Sequence, residues 1–343
     1  MNREDILPIL AICVVLFLLE IAYFSLARYF KIIDRPNKRS SHQEPTIRGG
    51  GIIFVFAWFL YFFIAESPFQ YVSIGLLLVS LVSFIDDIHD VGSLTRLLFH
   101  MMAFSFCFYE LNLFNLLPIW GIVCLYIVSI GCINAINFMD GINGITALNA
   151  LSIILPLRLM QTHYMLDGPL FYIIIALVVF LFFNYRKKAK CFAGDIGSVS
   201  LGYIIIFIIL GLLFGLYEPH EGLVGLTKDK IAFHPKYILL LLFFGVDSIL
   251  TIVHRIILGE NIFKAHRWHL FQLLTNEVGW SHLAVSALYG ILQFIATYYV
   301  LYNKVSAAAT ILIILFFSII YILAKIIIMK KYMKQDKVVE ATL

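Results

Sequence analysis

Charged side chains are scarce: Asp, Glu, Lys and Arg make up 13% of the 343 residues, about half the share usual in soluble domains. That shortage excludes a water-soluble enzyme and a disordered chain. Cysteine is equally sparse. Cys13, Cys107, Cys124, Cys132 and Cys191 lie mostly inside apolar runs without metal-like spacing, so they read as small buried hydrophobes, and a disulfide scaffold is excluded. Low-complexity tracts, internal repeats and any stretch able to fold as a separate soluble domain are also lacking. What remains is hydrocarbon. Hydrophobic residues are 62% of the chain, the mean hydropathy is +0.94, and roughly 20 apolar residues suffice for a helix to cross a bilayer. The expected fold is an all-α integral membrane protein.

Apolar runs divided by polar breaks predict eleven spans, over 6–30, 50–66, 69–85, 97–114, 117–136, 145–164, 168–184, 197–217, 236–258, 282–303 and 305–329. The first run is too long for a signal peptide and lacks a small-residue cleavage site, so it reads as a span. Together the spans form one polytopic membrane domain over residues 1–343. The odd connections and the tail hold sixteen basic residues, from Lys31 to Lys337. The even connections and the N-terminus hold five: Arg3, Lys228, Lys230, Lys236 and Lys304. Basic residues are retained on the cytoplasmic side, so the N-terminus is expected outside and the C-terminus in the cytoplasm.

The same alternation sorts the chemistry. The conspicuous polar clusters fall near 31–49, 86–96, 137–144, 185–198 and 259–281, all in odd, cytoplasmic connections. A transporter would place such residues near the bilayer midplane. One-sidedness argues for an enzyme at the cytoplasmic interface.

The first cluster is basic and closes on Gly49-Gly50-Gly51, whose backbone amides at a helix start would suit a phosphate; an ordinary positive-inside loop is the bland reading. The next is Asp86-Asp87-Ile88-His89-Asp90. Adjacent carboxylates repel unless a cation is present, and Mg²⁺ commonly bridges one or two carboxylates to substrate phosphates. Helix capping explains one aspartate, hardly three. Arg96 and His100 follow on one helical face, to meet an anionic substrate or to snorkel to the interface.

The segment from Asn134 to Gly144 sets Asn134 and Asn137 one turn apart, then adds Asp140 and Asn143 in a tight polar turn. Amides and a carboxylate match the donor and acceptor edge of a base or sugar. Residues 184–198 give a basic run, a topology signal by itself, then Phe192 and a Gly194-Asp195-Ile196-Gly197-Ser198 turn that opens a helix. Phe192 could stack on a base and Asp195 could hold a metal. The ninth span carries Asp247, Thr251, His254 and Arg255 on nearly one face, and ionisable groups at such depth face a cavity or a partner. After it come His266, Arg267 and His269, able to bind a diphosphate or donate protons.

With those residues assembled, the chain resembles the polyprenyl-phosphate N-acetylhexosamine-1-phosphate transferase superfamily, which includes phospho-N-acetylmuramoyl-pentapeptide transferase. The resemblance runs from about Asp34 to Gln272 and is most specific in NAINFMDGING, FAGDIGS and HRWH. It implies that a lipid phosphate oxygen attacks the β-phosphorus of a UDP-sugar and releases UMP. Asp195 matches the family's metal aspartate, and Asp86 and Asp87 its paired catalytic aspartates, with Asp87 beside the metal. Asn137, Asp140 and Asn143 match nucleotide-site positions, Phe192 and Gly194 the uracil-contacting segment, and His266, Arg267 and His269 the phosphate-handling loop. The cofactor implied is Mg²⁺, or Mn²⁺ in its place. The partners implied are a UDP-N-acetylhexosamine, undecaprenyl phosphate, the bilayer and a second copy of the chain, with no nucleic acid among them. The location implied is the bacterial cytoplasmic membrane.

Two positions depart from the family pattern. Asn143 stands where the nucleotide loop commonly has a third aspartate. The ninth connection has His266, Arg267, His269, Phe271 and Gln272 in place of an Asp-Arg-x-His-x-His-His string, a form more similar to enzymes acting on 6-deoxy-N-acetylhexosamines such as N-acetylfucosamine. Two other classes compete. An intramembrane prenyltransferase would need a second Asp-rich string, which the sequence lacks. An anion transporter would rely chiefly on Asp247.

Overall fold

The computed structural model describes residues 3–36, 44–65, 67–160, 164–216, 233–261 and 267–333. Helix accounts for 78% of the structure, and among the described residues the named strands are two, of two residues each, so the fold is all-α. In chain order the helices are α1 (Arg3–Tyr29), α2 (Ile52–Ile64), α3 (Gln70–Ile88), α4 (Ser93–Glu110), α5 (Leu113–Leu116), α6 (Ile119–Met139), α7 (Ile145–Leu159), α8 (Tyr164–Asn184), α9 (Gly194–Leu213), α10 (Leu242–Ile257), α11 (Leu270–Asn276), α12 (His282–Tyr302) and α13 (Ala307–Ile328). A 3₁₀ turn, Pro235–Leu241, leads into α10.

Each of the eleven expected spans coincides with a helix. Eight of these are long and apolar enough to cross a membrane. Helices α2 and α7 are apolar but have 13 and 15 residues, so at 1.5 Å per residue they reach only about 20 Å, short of the roughly 30 Å hydrocarbon layer. Helix α4 starts four residues before its expected position and ends at Glu110, because Asn112 adopts a left-handed conformation (φ +55°) that breaks the run before α5.

Helix α9 is the axis of the bundle. It is apolar on every side, which is the mark of a core helix, and its whole spanning window is buried against α2, α3 and α6. By contrast α1 and α13 are mostly exposed along their spans, as peripheral helices facing lipid would be. Buried hydroxyls join the central helices: Ser80 on α3 meets Ser200 on α9 at 2.8 Å, and Trp58 Nε1 on α2 donates to Ser73 on α3 at 2.8 Å. Such bonds hold apolar helices together where packing alone is unspecific.

All five cysteines are free. Cys107 and Cys191 are buried, matching their reading as small hydrophobes, whereas Cys124 is exposed.

The polar clusters sit at the C-terminal ends of α1, α3, α6, α8 and α10 or in the segments just after them. A two-residue antiparallel pair, Ile33–Asp34 (β1) with Thr46–Ile47 (β2), closes the connection after α1, and Ile47 also bridges to Cys191 just before α9. Two connections separated by about 140 residues of sequence are thus knitted by backbone.

Candidate active site

The site begins where the first connection meets the start of α9. Phe192 N–H donates to the Ile47 carbonyl at 2.8 Å, Gly50 N–H to the Phe192 carbonyl at 2.8 Å, and Gly51 N–H to the Ala193 carbonyl at 3.0 Å. The amides of Gly50 and Gly51 are therefore spent on this seam and are not offered to a phosphate, which favours the reading of this segment as an ordinary connection. The run is there for contact. A Cβ on Gly51 would lie 2.3 Å from the Gly197 Cα, so only paired glycines let the two backbones touch. Gly194, at φ +72°, likewise leaves no room: its Cβ would lie 2.5 Å from Asp87 Oδ2.

Asp87 fills that space. Its carboxylate accepts the N–H of Asp195 at 2.8 Å and of Ile196 at 3.0 Å, satisfying two of the open donors in the first turn of α9. Arg48 then spans two acids. Its Nε lies 2.6 Å from Asp87 Oδ1 and its Nη2 3.0 Å from Asp195 Oδ1. Arg96 lies 3.0 Å from Asp86 Oδ2 and 3.8 Å from Asp195 Oδ2, and Asp86 Oδ1 also takes the Val91 N–H at 2.6 Å. Three carboxylates and two guanidiniums thus converge from the turn between β2 and α2, the C-terminal end of α3 and the starts of α4 and α9. Burial opposes the Arg48 charge, but Asp87 and Asp195 outweigh it and hold its guanidinium above the ordinary value.

Exposure separates the acids. The Asp195 side chain keeps 18% of its surface, Asp86 7% and Asp87 none. Asp195 is the member of the group open to a ligand, and Asp87 is the one that builds its support. Arg96 faces this cluster, in keeping with contact to an anionic substrate. His100, one turn on, is 3% exposed and so does not snorkel.

The fifth connection also meets the start of α9. Asn137, still within α6, accepts the Ser198 hydroxyl at 2.6 Å. Asp140 accepts from Thr146 Oγ1 at 2.7 Å. Burial lifts the Asp140 carboxyl to about 6, with the Thr146 bond pulling the other way. Asn143 is buried, with Nδ2 donating to the Arg186 carbonyl at 2.7 Å and its own carbonyl accepting from Ser286 at 2.8 Å. Here it locks the fifth connection to the seventh and to α12. Asn184, which no motif in the sequence singles out, acts in the same way. Its Oδ1 accepts the Gly144 N–H at 2.6 Å and its Nδ2 donates to the Cys191 carbonyl at 2.8 Å.

The ninth connection is tied in by packing. The ring of Phe271 lies against Gly141, where a Cβ would be 2.9 Å from it, inside a small cluster with Ile136, Met139, Ile142 and Ile145. His269 stacks on Phe271 with centroids 5.6 Å apart, Arg267 is exposed, and His266 lies outside the described residues. Asp247, on which a transporter reading would rely, is 1% exposed and bonded to His269, Leu270, Tyr289 and Tyr321. It belongs to a closed protein network.

Among the described residues, no three Asp, Glu, His or Cys side chains form a group able to hold a metal ion unaided. The acidic cluster nonetheless fits a hard divalent cation shared with a substrate, since Mg²⁺ typically takes one or two carboxylates together with phosphate oxygens. Three carboxyl groups face two guanidiniums here, and a pyrophosphate would add further oxygen ligands.

None of the curated proteins compared matches the chain. The family model of glycosyl transferase family 4 matches residues 69–213, a stretch that holds Asp86, Asp87, Arg96, Asn137, Asp140, Asn143, Phe192, Gly194 and Asp195. Over those residues the chain is similar to the family of phospho-N-acetylmuramoyl-pentapeptide transferase and the polyprenyl-phosphate hexose-1-phosphate transferases.

Proposed function

We propose that this membrane protein, a phosphosugar transferase by family, transfers an N-acetylhexosamine-1-phosphate from a UDP-sugar to undecaprenyl phosphate. A phosphate oxygen of the lipid bonds to the β-phosphorus of the donor, the bond from that phosphorus to UMP breaks, and UMP leaves with the electron pair. The product is a lipid-linked diphosphate sugar, the first membrane intermediate of a surface polysaccharide or O-antigen. The sugar is N-acetylglucosamine or a 6-deoxy-N-acetylhexosamine such as N-acetylfucosamine, the latter favoured by the His-Arg-x-His-x-x-Gln form of the ninth connection. The basic bias of the odd connections supports a site on the cytoplasmic face of a bacterial inner membrane.

One observation carries this reading: Arg48 and Arg96 gather Asp86, Asp87 and Asp195 from elements far apart in sequence around a single point. Phosphoryl transfer needs little covalent help from a protein; it needs alignment and charge neutralisation. Arg48 and Arg96 are placed to orient a diphosphate, with His266, Arg267 and His269 taking its far side. Asn137, Asp140, Asn143, Phe192 and Gly194 frame the nucleotide. Asp195 would hold Mg²⁺, with Asp87 fixing it from behind. The ion, when bound, would offset the negative charge that develops on the departing UMP. A lipid phosphate is already ionised near pH 7, so attack needs no strong base.

The test is purified protein with Mg²⁺, undecaprenyl phosphate and a panel of UDP-N-acetylhexosamines, read by UMP release and by the mass of the lipid product. Folded protein that releases no UMP from any donor would sink the proposal.

A further inference from the structure

Helix α1 is mostly exposed, yet one strip of it is not. Leu16, Glu20, Tyr23 and Ala27, three or four residues apart, are buried and share a face. Two of the four are polar, and both lie against the glycine run. A Cβ on Gly50 would come 3.0 Å from Glu20 Oε1, and one on Gly49 would come 2.4 Å from the Tyr23 hydroxyl and 3.6 Å from Asp87 Oδ2. The hydroxyl therefore reaches the turn beside the acidic cluster, in space that a side chain at position 49 would fill. Gly49 takes φ +81° there.

The Tyr23 hydroxyl donates to the carbonyl of Arg48. At 4% exposure a hydroxyl needs such a partner. Edge-on packing against Phe84, with ring centroids 6.5 Å apart, fixes the ring that carries it. The other main-chain group of Arg48 is held as well, its N–H donating to the Ile32 carbonyl at 3.2 Å. Arg48 is thus pinned through its backbone by α1 and the segment just past it, while Gly50 and Gly51 tie the following chain to Phe192 and Ala193. An arginine side chain has many rotamers, and its fork meets two carboxylates at once only from a fixed Cα. The Arg48 side chain keeps 35% of its surface, so packing alone does not fix it. The main-chain bonds do.

We infer that Tyr23 is a positioning residue of the candidate site: its hydroxyl fixes the Arg48 main chain so that the guanidinium bridges Asp87 and Asp195 in one geometry. The catalytic consequence rests on the transferase reading. Tyr23 acts through Arg48 and not on a substrate. Helix α1 lies outside the matched family segment, and this bond makes it part of the site.

Two measurements test it. In the first, protein labelled with ¹⁵N-arginine is examined in detergent by NMR, the Arg48 Nε–H signal being the one lost in Arg48→Lys. Solvent exchange of that N–H is expected to be slow in wild type and at least about tenfold faster in Tyr23→Phe. Rapid exchange in wild type, or equal rates in the two proteins, would overturn the inference whatever the activity. In the second, UMP release per folded molecule is compared across wild type, Tyr23→Phe, Arg48→Lys and the double variant. Tyr23→Phe is expected to lower turnover about tenfold, since misplacing a positioned group can cost up to about 10²-fold, but less than about twofold in the Arg48→Lys background. Losses that multiply would mean that Tyr23 supports the fold at large, and the inference fails. Tyr29→Phe, on an exposed part of α1, should change neither reading; effects of similar size there would make the Tyr23 result unspecific and overturn it. If wild type releases no UMP while exchange quickens in Tyr23→Phe, the transferase reading falls and the hold of Tyr23 on Arg48 stands.

Discussion

Asp87 accepts the backbone N–H of Asp195 at 2.8 Å, so one aspartate builds the helix start on which another stands. The Asp86-Asp87 pair thereby divides its labour. Asp87 faces inward to the first turn of α9, while Asp86 faces Arg96.

Asp195 is the exposed acid of the cluster, and Asp195→Asn keeps its size while removing its charge. Turnover should fall on the order of 10²- to 10³-fold, as for other lost electrostatic contacts to a reacting centre. Helical content and the elution profile in detergent should be unchanged. Near-normal UMP release in this variant would remove Asp195 from the metal site.

Arg48 reaches Asp87 through Nε and Asp195 through Nη2, a two-pronged grip that a single ammonium cannot copy. Arg48→Lys is expected to lower turnover at least tenfold, although charge is conserved. Equal rates in the two proteins would show that charge alone matters there.

Removal of divalent ions with EDTA should abolish UMP release, and added Mg²⁺ or Mn²⁺ should restore it. A rate indifferent to chelation would contradict the cation assigned to the acidic cluster.

The Asp140 carboxyl, raised to about 6, predicts a pH dependence with a definite sign. The folded protein holds this proton more tightly than the unfolded chain, so the contribution of Asp140 to stability declines as pH rises from about 4 to about 6. Turnover, if the ionised form serves the nucleotide site, should rise through the same interval. Asp140→Asn should flatten both trends, which thermal melts and initial rates between pH 4.5 and 8 would check.

Gly51→Ala and Gly197→Ala push a methyl group into the opposing backbone, and overpacking of this kind costs about 1–3 kcal/mol. Both variants should melt earlier than wild type. Gly92→Ala, where a Cβ meets nothing within 4 Å, is the control.

Legibility differs from residue to residue. Asp86, Asp87 and Asp195 stand out because carboxylates are rare in so apolar a chain, and the structure brings them together. Arg48 does not stand out. It lies in a basic connection whose other members read as a topology signal, and only the fold selects it from among them. Asn184 and Asn143 are polar residues at turns, and whether such an amide binds a ligand or locks two connections depends on which carbonyl lies opposite. Gly50 and Gly51 are ambiguous for the same reason, since exposed and satisfied amides look alike until the facing segment, here Phe192–Ala193, is known.

By composition alone the chain had to be a helical membrane protein, because apolar runs of this length have no other way to satisfy their backbone in lipid. The excess of basic residues in the odd connections, sixteen against five, predicts that its polar clusters share one side. Tertiary structure decided the rest. Which acid faces outward, which arginine joins them and which aspartate stands behind His269 depend on contacts between residues 20 to 150 positions apart, and spacing along the sequence carries no record of those approaches.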